Sequence, residues 1–208
     1  TARIGGQQVT GLSAPQPGAP PMPAAWSTYF ASTSVAADVE RAVALGATVV
    51  VPPMEVAPFG SMAFCADPTG AVFGFWQAAQ HIGSELTDAA GAPCWYELYS
   101  PDVRQARDFY AALLGATAEQ TPDGPEYYVL KHGETMIAGV MQIDPAWGAM
   151  QPHWATYFGV SDADAAVATT TAHGGTALGG IDPSPWGRLA TLQDPAGAIF
   201  KIIEVPAE

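Results

Sequence analysis

At 208 residues with 49% hydrophobic side chains, the chain has enough apolar material for one large core or two small ones. Its 20 acidic side chains against 7 basic ones give a formal net charge of −13, with no Lys/Arg cluster. That balance argues against nucleic acid and anionic membrane surfaces as partners. Cys65 and Cys94 show no metal-binding spacing, so the expectation is a cytoplasmic protein with buried thiols. No run of 18 apolar residues exists to span a bilayer as a helix.

The chain repeats itself at an offset of 128 residues. Trp26-Ser27-Thr28-Tyr29-Phe30 returns as Trp154-Ala155-Thr156-Tyr157-Phe158, and Gly46 as Gly174. One residue is then lost, and Asp67-Pro68-Thr69-Gly70-Ala71 returns as Asp194-Pro195-Ala196-Gly197-Ala198. A repeat of this length indicates duplicated structural units.

Residues 2–12 align only with the closing hairpin of a module, at 130–140. Residues 24–78 align with 152–205, and 81–91 read as a small, polar linker. The aromatic run 94–99 suits a strand, which Ser100-Pro101-Asp102 ends with a helix-start signal. Val103, Ala106, Phe109, Tyr110 and Leu113 then recur at spacings of three and four, predicting an amphipathic helix over 103–114 closed by Gly115. Strands follow at 116–119, 127–131 and 135–142. The same order returns as a strand over 153–160, a helix over 163–172, and strands at 176–179, 188–193 and 198–204.

Ser100-Pro101-Asp102, Phe109-Tyr110 and Leu114-Gly115, with the two Asp-Pro-x-Gly-Ala turns, resemble the vicinal oxygen chelate superfamily of glyoxalases, bleomycin-resistance proteins and extradiol dioxygenases. The resemblance implies an α+β fold of tandem βαβββ modules paired into cup-shaped sheets, with the N-terminal module incomplete. The expected organisation is a first domain over 1–79 (the end of a truncated module at 1–12, a full one at 24–79), a linker at 80–91, and a second domain over 92–208 made of modules 92–150 and 151–208. A homo-oligomer or strand exchange with another chain could supply the missing strands.

Metal-dependent members of that family place His or Gln on the first strand of a module and Glu on the last. Here the first-strand positions are Ser27, Trp95 and Ala155, and the last-strand positions Gly11, Gly74, Gly139 and Lys201. None is a metal ligand of that kind, and the Lys201 ammonium would repel a divalent cation. No metal or other cofactor is therefore expected. Of the four histidines, His153 comes nearest the mouth of the implied cup, where it reads as a structural group rather than a ligand.

Strand alternation gives the residues that would line the cup: Trp95, Glu97, Tyr99, Ile137, Gly139, Met141, Tyr157 and Lys201 in the second domain, Ser27, Tyr29, Gly74 and Trp76 in the first. Gly74 and Gly139 read either as openings that leave room for a ligand or as points of close strand packing. The loop aromatics Trp147 and Trp186 could stack on a flat ligand or anchor their loops. Two functions fit. One is a metal-free protein that holds a hydrophobic or aromatic small molecule, a cationic one being favoured by the acidic surface. The other is an enzyme, either a metal-dependent lyase or dioxygenase, or a metal-independent acid–base catalyst using Glu97 and Lys201.

Overall fold

The computed structural model describes residues 1–14, 23–122 and 124–205. It opens with a hairpin of β1 (Ala2–Ile4) and β2 (Gln7–Thr10). The next module is β3 (Tyr29–Ala31), α1 (Val35–Ala44), β4 (Thr48–Val56), β5 (Gly60–Ala66) and β6 (Val72–Ala78). A second comprises β7 (Pro93–Ser100), α2 (Val103–Leu114), β8 (Thr117–Gln120), β9 (Tyr127–His132) and β10 (Thr135–Gln142), followed by a 3-10 turn at Pro145–Trp147. A third runs through β11 (His153–Val160), α3 (Ala163–Ala172), β12 (Thr176–Ala177), β13 (Asp182–Ser184), β14 (Gly187–Gln193) and β15 (Ile199–Glu204). The helices α2 and α3 have the bounds expected of them, α2 from its apolar spacing and α3 from the repeated order of elements. The short strand β13 has no counterpart in the sequence reading, because Pro183 interrupts its pattern.

Each module is wound alike. Its first strand pairs in parallel with its last, and the last pairs antiparallel with the strand before it. This gives the orders β3-β6-β5-β4, β7-β10-β9-β8 and β11-β15-β14-β12. One contact recurs in all three. The first amide of each helix donates to a side chain at the end of the last strand: Val35 to Gln77 Oε1 (3.1 Å), Val103 to Gln142 Oε1 (3.1 Å) and Ala163 to Glu204 Oε2 (3.2 Å). These acceptors satisfy donors that a helix start leaves without intrahelical partners. Ser34, Asp102 and Asp162 cap the same helices from the other side.

By packing, the chain falls into two compact units: Thr1–Trp26 with Gly83–Trp95 and Ala155–Glu208, and Ser27–Ile82 with Tyr96–Trp154. In the first, Trp26 sits edge-on between Phe158 (5.0 Å) and Phe200 (6.1 Å). A small cluster of Ala163, Ala190, Leu192 and Ile202 packs under α3. The segment expected as a plain linker is bonded into this unit. Gln8 N donates to Glu85 Oε2 (2.6 Å), Glu85 N to Gln8 O (2.7 Å), and Gly91 N to Gly159 O (2.7 Å). Its backbone pairing carries no side-chain pattern, which is why a sequence reading passes over it.

The second unit holds the larger core, in which α1 and α2 bury Val35, Val39, Val103, Phe109, Tyr110 and Leu113 among Phe73, Phe75, Leu130 and Val140. At its centre Tyr110 is fully buried and joins two polar groups. Its hydroxyl donates to Asp67 Oδ2 (2.9 Å) and accepts from Trp154 Nε1 (2.9 Å). The other oxygen of Asp67 shapes its own turn, accepting from Thr69 N (2.7 Å), Thr69 Oγ1 (2.8 Å) and Ala71 N (3.1 Å). Desolvation and the Asp67 charge hold the Tyr110 phenol well above its usual pKa.

Candidate functional site

A helix covers one face of each four-stranded module, so alternation turns the remaining strand side chains to the opposite face. On the module of β3 to β6, Phe30, Ala63, Cys65, Phe73 and Phe75 turn to the core. Tyr29, Met62, Phe64, Gly74 and Trp76 take the opposite face. Register places Tyr29 beside Gly74, and Phe64 on its other side. The Tyr29 ring lies 5.1 Å from Phe64 and 6.4 Å from Trp76 between centroids, and its hydroxyl is 3.8 Å from Met62 Sδ. Trp76 Nε1 donates to His81 O (2.8 Å). Tyr29 keeps 41% of its surface exposed, while desolvation of its phenol raises the pKa.

On the corresponding face of β7 to β10, Glu97 neighbours Gly139, Tyr99 neighbours Met141, and Met141 neighbours Tyr127. Glu97 and Tyr99 are each only 6% exposed. The His153 ring stacks on Tyr99 at 5.1 Å with an interplanar angle of 7°, and Trp147 meets Tyr99 edge-on at 6.3 Å. His153 Nδ1 lies 2.8 Å from Gln151 O, which fixes the orientation of the ring. The compact unit built on β14 and β15 contains Trp95, Tyr157 and Lys201. There Tyr157 pairs in register with Lys201, whose Nζ sits 5.3 Å from the ring centroid. The suggested acid–base partners Glu97 and Lys201 thus belong to different units. Trp186 is 74% exposed in the β13–β14 turn.

The two glycines lie under tyrosine rings. A Cβ on Gly74 would meet the Tyr29 ring at 2.5 Å, and one on Gly139 would collide with the Tyr127 hydroxyl. Of the two readings of these glycines, the ring contacts fit close packing, with a tyrosine lying across each strand. Tyr127 was not among the residues singled out from sequence, although alternation from Met141 through the β9–β10 hairpin leads to it. Met62 and Phe64 could have been reached in the same way from Trp76.

Other chemistry is sparse. Burial and the nearby charge of Asp88 push the Cys94 thiol up to about 11, so it is no nucleophile at neutral pH, and Cys65 is buried. Among the described residues, no three His, Cys, Asp or Glu side chains converge as a metal site would require. A recess of about 230 Å³ beside the start of α1, lined by Ser34, Pro53, Met54, Ser61 and Gln77, is smaller than a usual ligand pocket. No described helix is long and apolar enough to cross a membrane, which says nothing of β-barrels.

The sequence pattern of the Glyoxalase/Bleomycin resistance protein/Dioxygenase superfamily matches residues 93–202. The chain belongs to that superfamily. It is 38% identical over 207 residues to CFP32 of Mycobacterium tuberculosis, a protein carrying a glyoxylase name, covering 98% of this chain and 78% of that one. It is 39% identical over 185 residues to the anthracycline biosynthesis protein DnrV of Streptomyces peucetius, covering 88% of this chain and 67% of that one. The Mn(II)-bound glyoxalase from Novosphingobium aromaticivorans shares the fold, with a TM-score of 0.58 at 16% identity, over 85% of this chain and 61% of that one. Its paired βαβββ modules place this chain in the vicinal oxygen chelate fold.

Proposed function

We propose that this superfamily member is a metal-free binding protein for a hydrophobic or aromatic small molecule, held on the sheet faces described above. One observation carries the reading. At two of the four last-strand positions where metal-dependent relatives are expected to supply Glu, a tyrosine fills the space, Tyr29 over Gly74 and Tyr127 over Gly139; the third carries Lys201 beside the Tyr157 ring, and the fourth is Gly11. The first-strand positions carry Ser27, Trp95 and Ala155. This set does not fit a divalent cation, since it offers neither imidazole nor carboxylate and includes a cation.

The ligand class follows from the exposed rings and from the DnrV relative, whose name concerns anthracyclines, planar polycyclic aromatics. The net charge of −13 supports a cationic member of that class over an anionic one. The enzymatic alternative keeps one specific observation, a carboxylate at Glu97 buried on this otherwise aromatic face. Elemental analysis of the purified protein and tryptophan fluorescence titration with daunorubicin test the proposal. Substoichiometric Fe, Mn, Ni and Zn with saturable quenching is expected, weakened by Trp95→Ala. One equivalent of any of these metals, lost together with daunorubicin binding on chelation, would sink it.

A further inference from the structure

We infer that Glu97 and Tyr127 form a built polar point over Gly139 that recognises the hydroxyl of a phenolic ligand without a metal. The inference rests on the aromatic-ligand reading and goes beyond it in naming the group recognised. Its basis is a juxtaposition on one sheet face. Glu97 and Gly139 are register partners on parallel strands, so the Glu97 side chain stands beside the space that Gly139 leaves. Tyr127, on the next strand, reaches into that space so closely that any side chain at 139 would collide with its hydroxyl. A carboxylate and a phenol hydroxyl are thereby set side by side, with Glu97 94% removed from solvent.

The two groups are complementary in kind. An ionised carboxylate only accepts hydrogen bonds, whereas a tyrosine hydroxyl both donates and accepts. Together they fit a group that donates one hydrogen bond and accepts another, which is what a phenolic hydroxyl does. Around them Tyr99, Val129 and Met141 supply the flat apolar surface that an aromatic ring requires. An aryl ether of the same shape cannot donate to Glu97, and a site built to bond a hydroxyl discriminates strongly against an analogue lacking it. Glycine at 139 keeps the pair in place, because any larger residue displaces the Tyr127 hydroxyl.

The test compares 2-naphthol with 2-methoxynaphthalene, titrated at neutral pH against the full chain and followed by tryptophan fluorescence and calorimetry. The wild type should bind the naphthol at least about tenfold more tightly than the ether. Glu97→Leu, which removes the acceptor, should bring the two affinities close together while leaving ether binding within about twofold, whereas Tyr127→Phe, which removes a donor to the oxygen of either compound, should weaken both. Gly139→Ala, which keeps both groups but moves the Tyr127 hydroxyl, should weaken both compounds as Tyr127→Phe does. Equal wild-type affinities would overturn the polar point and leave the aromatic reading standing, as would a preference that survives Glu97→Leu or an ether affinity that Tyr127→Phe leaves unchanged. Binding of neither compound would overturn both.

Discussion

The two Asp-Pro-x-Gly-Ala turns of the repeat are alike in themselves and unlike in what surrounds them. Asp194 Oδ1 accepts from Ala196 N (2.9 Å) and Ala198 N (3.0 Å), as Asp67 Oδ1 does from Thr69 N and Ala71 N. The second oxygen of Asp67 then receives the buried Tyr110 hydroxyl, which in turn receives Trp154 Nε1. Trp26, the copy of Trp154, has its Nε1 buried with no partner among the described residues. The duplication therefore preserved the local turn, and only one copy turned it into a link through the core. A buried polar chain of this kind is costly to break at any point, whereas a half-exposed turn is not.

The largest expected effect separates the two aspartates. Asp67→Ala removes the turn acceptor and leaves a fully buried phenol hydroxyl without its carboxylate, and should cost about 3 kcal/mol or more. Asp194→Ala loses only turn bonds near solvent and should cost about 1 kcal/mol. Urea denaturation of each variant checks this. Equal losses would mean that the link through Tyr110 contributes nothing beyond the turn.

How much of this was legible from sequence depends on the range of the interaction. The helix over 103–114 and the Asp67 turn follow from spacings of two to four residues, and both have the bounds expected of them. The Asp67–Tyr110 bond joins positions 43 apart, and no local pattern announces a partner at that distance. The site shows the same division. The faces of Glu97, Tyr99 and Met141 follow from strict alternation, and their observed register agrees with it. The tyrosines over Gly74 and Gly139 depend on how each ring leans along the sheet, which alternation does not specify. A glycine therefore reads as empty space in sequence and as a ring contact in the structure.

Tyr110→Phe tests the link at its centre and should cost less, about 1–3 kcal/mol, since it leaves Trp154 Nε1 and one Asp67 oxygen unmatched but no cavity. It also has a signature in pH. The folded phenol has its pKa raised above the usual value of 10.0, so its contribution is complete below that pH. As pH rises through 10.0 the unfolded chain ionises this tyrosine while the folded one does not, and stability falls. The Phe variant should lose part of that alkaline decline in denaturation midpoints measured between neutrality and pH ~11. An unchanged alkaline slope would show that Tyr110 is not held neutral by its surroundings.

The smallest effect compares the helix-start acceptors, which the modules share and the two units use differently. Gln142 Oε1 accepts from Val103 N, and its amide donates to Pro101 O (2.9 Å) and Ile143 O (3.0 Å), so the side chain closes the chain on both sides of α2's first turn. Glu204 accepts from Ala163 N and also meets Arg188 (3.4 Å), an ion pair open to solvent. Gln142→Ala frees one helix-start amide and two carbonyls and should cost about 1 kcal/mol. Glu204→Gln keeps an oxygen for Ala163 N and gives up only a screened surface charge, so its denaturation midpoint should move less than that of Gln142→Ala. If Glu204→Gln proved the more damaging of the two, the acceptor role shared by Gln77, Gln142 and Glu204 would be secondary to the ion pair, and the contact common to the three modules would not be what maintains these helix starts.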